Sequence, residues 1–391
     1  MLRIKNAVIV SDELITNKYI YIENGKIEEV TANELIYDEE IDASGLYVSP
    51  GFIDIHTHGA GGYDFADGEV SDILSASYMH ALHGTTAIYP TCTSSSFEDT
   101  IKFISNVKKA MESNAPGICY IAGSHLEGPY FSKAMCGAQN TSYLKSPVRS
   151  EYEKFVKEGN GTLKRISFAP ELDGSKDLCI YLKENNIIAS FGHTDAIYEE
   201  IAPLIPLGCN LATHLYSGMS NITRRNLMRK LGAVETAYLE DDVYVETIAD
   251  GIHLPPELLK LIYKIKGPDR ICLVTDSMRG AGMPDGPSVL GPKHDGMECN
   301  IHDGVAYLKD MSAFAGSIAT ADRLIRTMYK LVGIPLCQCI KMMCETPAKV
   351  MELEDRGKLE KGYVADLVFF DDNININKVI IQGKELKKKG M

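Results

Sequence analysis

The segment Pro50-Gly51-Phe52-Ile53-Asp54-Ile55-His56-Thr57-His58-Gly59 decides how this chain is read. A short apolar run delivers two histidines at i and i+2, then stops at glycine. Side chains two apart on a strand share a face, so both imidazoles reach one metal ion. An apolar strand with His-x-His at its C-terminal end is what a metal site at the top of a barrel requires. Taken alone, two histidines at a loop mouth would also suit an ordinary surface.

Outward from this segment the pattern repeats. From Gly51 to about Leu353, short apolar runs alternate with amphipathic helical stretches. With Phe52 to Ile55, the runs Thr86–Pro90, Ile118–Ala122, Ile166–Pro170, Ile187–Ser190, Asn210–Thr213, Tyr244–Ile248 and Ile271–Thr275 make eight strand candidates. Repeated βα units in that number favour a closed parallel (β/α)8 barrel, a TIM-like α/β fold, over an open sheet.

Both ends of the chain read differently. Leu2–Val10, Lys18–Glu23, Lys26–Val30 and Leu46–Val48 are strand-like, and Asn24-Gly25 is a tight hairpin signal. The C-terminal runs Ala365–Phe370 and Lys378–Gln382 resemble them, so the two ends are expected to pair in one small sheet. Lys387-Lys388-Lys389 reads as a solvated end.

Composition narrows the function. The 391 residues are long enough for one barrel and a small appendage, and 45% hydrophobic with 24% charged residues is ordinary for a globular protein. A net charge of −13 argues against general nucleic-acid or anionic-membrane binding, although a local arginine cluster would still take an anionic substrate. Ten cysteines are scattered without any Cys-x-x-Cys pair, which suggests a reducing cytosol. Met1–Val10 carries charges and no cleavage signature, and no window of 18 residues is apolar enough to span a membrane. A cytoplasmic location is expected.

Further metal-type ligands follow other apolar runs: Glu127 in His125-Leu126-Glu127-Gly128-Pro129, His193 in Gly192-His193-Thr194, His214 in Thr213-His214-Leu215, and Asp276 in Val274-Thr275-Asp276. A single histidine after an apolar run is ordinarily a hydrogen-bonded core residue. The repetition at strand C-termini is what points to a site. His and carboxylate ligands without thiolate suit zinc, iron or manganese. Binding to zinc takes water from a pKa near 15.7 to about 7. At about 1.36 kcal/mol per unit, that is about 12 kcal/mol toward hydroxide. A carboxylate beside the metal then accepts the proton and passes it to the leaving group, the role expected of Asp276.

These motifs, with Ala249-Asp250-Gly251-Ile252-His253 and Ala315-Gly316-Ser317, resemble the amidohydrolase superfamily and, within it, the N-acetylglucosamine-6-phosphate deacetylases, nearly end to end. The resemblance implies a catalytic barrel over 51–355 and a small β-sandwich from 1–50 and 356–391. It implies removal of acetate from an N-acetylated amino-sugar phosphate by a homodimer carrying one or two divalent ions. Carried over by motif, Glu127, His193 and His214 look like the main metal site, His56 and His58 like a second one, and Asp276 like the general base and acid. Arg225 falls where the family places an arginine on the sugar phosphate, and His253 where a histidine binds substrate, in some members from the neighbouring subunit. Arg224, Arg225, Arg229 and Lys230 also form the densest basic cluster of the barrel region, as a phosphate dianion needs.

The chain departs from the pattern in the substrate shell. Ser217 and Gly218 stand where Asn and Ala are usual, and Arg225-Asn226-Leu227-Met228 replaces Arg-Glu-Pro-Gly. Gln139 occupies the place of a histidine that contacts the substrate carbonyl; an amide donates there but cannot become a cation. The metal ligands are unaltered, so deacetylation is expected, with N-acetylgalactosamine-6-phosphate as the alternative substrate. A non-catalytic scaffold would be expected to have lost Asp276 or Glu127, and neither is lost.

Overall fold

The computed structural model describes residues 1–113, 115 and 117–387, so Lys388 and Lys389 of the basic tail lie outside it. Eight parallel strands build the barrel: β1 Phe52–Thr57, β2 Thr85–Cys92, β3 Ser124–Glu127, β4 Leu163–Phe168, β5 Ile188–Phe191, β6 Cys209–Ala212, β7 Tyr244–Thr247 and β8 Ile271–Leu273. Each pairs with the next in chain order. Closure runs through the backbone beyond β8, where Asp276 N–H donates to His56 O at 2.9 Å and His58 N–H donates to Ser277 O at 2.7 Å. A side-chain seam reinforces it: Thr275 Oγ1–H donates to Asp54 Oδ2 at 2.5 Å.

Every residue of β1 and β2 is buried, as parallel strands between a helical coat and a filled interior must be. The coat forms because each helix carries one apolar face. Helix Phe97–Ser113 buries Thr100, Phe103, Ile104, Val107 and Ala110, positions that share one stripe at 3.6 residues per turn. The four apolar ones join Ile88, Ile121, Phe155 and Leu163 in the main core. Full burial of each large apolar side chain there is worth about 1.5–3 kcal/mol.

Seven strand candidates recur within a few residues of their expected bounds. The third differs. Tyr120–Ile121 is only a short piece beside Ala87–Ile88, and barrel strand β3 begins at Ser124, pairing with Thr91–Cys92. The break falls at Gly123, at φ +157°, where a Cβ would lie 2.3 Å from Lys164 Cγ. A side chain is excluded by that close approach, so the strand re-enters the barrel on a glycine. The restart carries Glu127 to the tip of β3.

Both chain ends share one six-stranded sheet, in which Leu367–Phe370 pairs antiparallel with Tyr47–Pro50. A four-stranded sheet of N-terminal strands holds the hairpin at Asn24-Gly25, whose φ values of 51° and 77° fit a tight primed turn. The two sheets enclose Ile4, Ile9, Ile20, Ile22, Val48, Leu367 and Phe369. Unanticipated is a three-stranded antiparallel sheet, Gly286–Leu290, Met297–His302 and Val305–Leu308, inserted after β8. No helix is long and apolar enough to cross a membrane among the described residues.

Candidate metal centre and active site

The ligand candidates converge above the C-terminal ends of the strands. Among the described residues, two groups bring three ligand atoms each within 4.8 Å of one another: Glu127, His193 and His214, and His56, His58 and Asp276. All six side chains are buried. His193, His214 and Asp276 hold φ values of 45°, 32° and 47°, a left-handed conformation that costs a non-glycine residue about 1–3 kcal/mol. Strain of that kind at three strand tips marks a site whose side chains are aimed by the surrounding fold.

The hydrogen-bond pattern shows what the centre is shaped to hold. His193 Nδ1–H donates to Met135 O at 2.9 Å, His58 Nδ1–H to Thr91 O at 3.3 Å, and His56 Nδ1–H to Glu246 Oε2 at 3.0 Å. Each bond leaves an Nε2 lone pair turned inward. His193 Nε2 and His214 Nε2 lie 3.1 Å apart, and 3.1 and 2.7 Å from Glu127 Oε1. His58 Nε2 and His56 Nε2 lie 3.1 and 3.4 Å from Asp276 Oδ1. Among the described residues His56 Nε2 has no hydrogen-bond partner. Ring nitrogens and carboxylate oxygens this close share a positive charge, a proton or a metal ion, between them. Ligand atoms around zinc, at about 2.0–2.1 Å from the ion, sit roughly 3.3 Å from one another, which these separations approach.

The electrostatics agree. Burial alone would raise the Glu127 carboxyl, but His56, His193 and His214 outweigh it and hold it well below the usual range. Burial would likewise lower His56, yet the carboxylates of Glu246, Asp276 and Glu127 hold its pKa up at about 9. The donor set therefore fits a divalent metal, with imidazole and carboxylate but no thiolate.

A cavity of about 210 Å³ opens above the ligands. Nine of the eleven expected site residues line it: His58, Glu127, Gln139, His193, His214, Ser217, Gly218, His253 and Asp276. His56 lies fully buried beneath. Arg225 is not brought to the cavity. It lies on the hairpin of Thr223–Arg225 and Met228–Lys230, is 47% exposed, and donates to Asp195 Oδ2 at 2.6 Å. The other basic residues of the cluster, Arg224, Arg229 and Lys230, share that hairpin and do not line the cavity either.

Gly218 passes close over the centre at φ +55°; a Cβ there would meet His193 Nδ1 at 2.7 Å. His253 lines the cavity from this same chain, its Nδ1 2.8 Å from Asp250 Oδ2 and its ring 4.6 Å from that of Phe314. Phe314, Ala313 and Leu290 come from the inserted sheet and the loop after it, a wall no motif announced. Glu246 and Arg165 also border the centre, and no motif announces them. Each is a charged residue inside an apolar strand run, Val245-Glu246-Thr247 and Leu163-Lys164-Arg165-Ile166, and that conflict was the available signal.

Comparison with known proteins places this architecture. Residues 47–386 match the family model described as the amidohydrolase family. The chain belongs to the amidohydrolase family. It is 32% identical over 383 residues to an N-acetylglucosamine-6-phosphate deacetylase of Bacillus subtilis (strain 168), covering 96% of this chain and 94% of that one. It is 29% identical to an N-acetylgalactosamine-6-phosphate deacetylase of Escherichia coli O157:H7, covering 86% of each. Its fold is similar to that of a mutant N-acetyl-D-glucosamine-6-phosphate deacetylase from Mycobacterium smegmatis solved in complex with N-acetyl-D-glucosamine-6-phosphate. That match has a TM-score of 0.90 and 28% identity, and covers 99% of each chain.

Proposed function

We propose that this chain hydrolyses the acetamide of N-acetylglucosamine-6-phosphate to acetate and glucosamine-6-phosphate. The observation that carries the reading is the convergence of four inward Nε2 atoms on Glu127 and Asp276 at the floor of one cavity. The family and the names of the most similar relatives support it.

Glu127, His193 and His214 would hold one divalent ion, zinc, iron or manganese, and His56, His58 and Asp276 a second. Such an ion supplies Lewis acidity toward a carbonyl oxygen and lowers the pKa of water. The chain's own groups do the rest. Asp276 accepts the proton of the attacking water and returns it to the nitrogen as the C–N bond breaks. Its carboxyl is ionised and so has a lone pair to accept with: burial would raise its pKa, but His56 and His58 keep it below the ordinary range. Gln139, Ser217, Gly218 and His253 hold the sugar, and Leu290 and Phe314 close its apolar side.

Arg225 is assigned to the sugar phosphate within a homodimer. The exposed hairpin that carries it, with Leu227 at its tip 90% exposed, supports an intersubunit setting. A barrel over 51–355 with a β-sandwich from 1–50 and 356–391 is the domain division we favour. A cytoplasmic location is supported by ten free cysteines.

The second reading, N-acetylgalactosamine-6-phosphate, is supported by the Escherichia coli relative, and would assign Gln139 and Ser217 of the cavity to specificity. Acetate release from both phosphorylated epimers and from unphosphorylated N-acetylglucosamine by the metal-loaded protein decides. Preference for the first epimer is expected. Preference for the other establishes the second reading, and release from none overturns both.

A further inference from the structure

Beneath the ligands the barrel interior holds polar side chains that the proposed reaction leaves unused. Arg165 on β4 and Glu246 on β7 are both fully buried and form an ion pair through Arg165 Nη1 and Glu246 Oε1. The guanidinium is held on its other sides: Nε donates to Ser190 Oγ at 2.8 Å and Nη2 to Thr213 Oγ1 at 2.9 Å. The second carboxylate oxygen faces upward. Glu246 Oε2 accepts from His56 Nδ1–H at 3.0 Å and from the backbone N–H of His214 at 3.0 Å. One oxygen thus touches a member of each ligand group.

We propose that the Arg165–Glu246 pair is a positioning device that holds His56 in its Nδ1–H tautomer, so that metal binding by His56, His58 and Asp276 depends on it. The inference rests on the reading that these residues bind a divalent ion. A neutral imidazole ligates through the nitrogen that lacks the proton, and the partner of the other nitrogen selects the tautomer. An ionised carboxylate at Nδ1 demands N–H there and leaves the Nε2 lone pair free. Arg165 fixes which oxygen does this, because its donors occupy Oε1.

Glu246→Gln tests the point sharply. Arg165 demands the amide oxygen, which turns the amide NH2 onto His56 Nδ1 and the His214 N–H. Donor then meets donor, and His56 relieves the conflict by moving its proton to Nε2, where it blocks ligation. Glu127, His193 and His214 keep their side-chain ligands and lose only a backbone acceptor.

The experiment titrates Zn(II) into metal-free protein and counts bound ions by elemental analysis. It uses the wild type, His56→Ala, Glu246→Gln and the double variant. The expected result is one site weakened about 10–100-fold in Glu246→Gln, the same site weakened in His56→Ala, and no further loss in the double variant. A role in stability alone would lower the melting temperature and leave Zn(II) affinity in the folded protein unchanged. Unchanged Zn(II) affinity in Glu246→Gln, with a loss in His56→Ala, overturns the proposal and spares the metal reading. No loss in His56→Ala overturns the metal reading of that group itself. Should Glu246→Gln not fold, Glu246→Asp keeps the charge for Arg165 but withdraws it from His56, and the same single-site weakening is expected.

Discussion

Gln139 donates its amide to Glu127 Oε2 at 2.7 Å, and its own oxygen accepts from Ser94 N–H, also at 2.7 Å. The backbone N–H sets which way the amide points, so the donor end faces the ligand carboxylate. Glu127 is thereby tied at Oε2 and offers Oε1 to His193 and His214. The side chain expected at the substrate carbonyl therefore also orients a metal ligand. Gln139→Leu removes both bonds. Metal affinity of the Glu127 group should fall about 10–100-fold, and the orphaned Ser94 N–H should cost about 1–3 kcal/mol. Zn(II) titration and denaturant unfolding check the two effects separately.

Asp276 sits within 3.1 Å of His58 Nε2 and 3.4 Å of His56 Nε2, facing the cavity. Asp276→Asn keeps the shape and removes the proton acceptor. kcat should fall about 10²–10⁴-fold, while the Glu127 group keeps its ion. Near-normal kcat with metal bound would refute the assignment as base.

Among the described residues Arg225 is paired only with the partly exposed Asp195, so Arg225→Ala should leave the melting temperature nearly unchanged. If the residue serves the phosphate, KM for the phosphorylated sugar should rise about tenfold or more, the worth of one charge-assisted bond. The ratio of phosphorylated to unphosphorylated activity reads this directly. An unchanged ratio removes Arg225 from substrate binding.

Metal removal should cost stability as well as activity. Four imidazoles and two carboxylates packed at 2.7–3.6 Å have no cation to separate them once the ion is chelated. Ions that bind only the folded state stabilise by about 2.7 kcal/mol at a hundredfold excess over Kd. Calorimetry of chelated protein should show a lowered melting temperature, restored by zinc, iron or manganese. Full activity after exhaustive chelation would contradict a metal role.

Most of the candidate site was legible because its signal is local. Apolar runs that end in His, Glu or Asp define strand tips, and barrel strands deliver their tips to one face. His56, His58, Glu127, His193, His214 and Asp276 were readable in this way. The hairpin at Asn24-Gly25 followed from turn chemistry of the same short range.

What tertiary structure alone decided depends on residues far apart in the chain. The tautomer of His56 is set by Glu246, 190 positions away, and Glu246 is oriented by Arg165, 81 positions from it. The restart of β3 at Ser124 depends on how closely Lys164 of the neighbouring strand approaches Gly123. The direction of the Gln139 amide rests on a backbone N–H 45 positions earlier, and the place of Arg225 on how one hairpin packs. Residue types and their periodicity determine which groups reach the top of the barrel. Partner choice among those groups is settled by distances and donor geometry that exist only once the strands have closed.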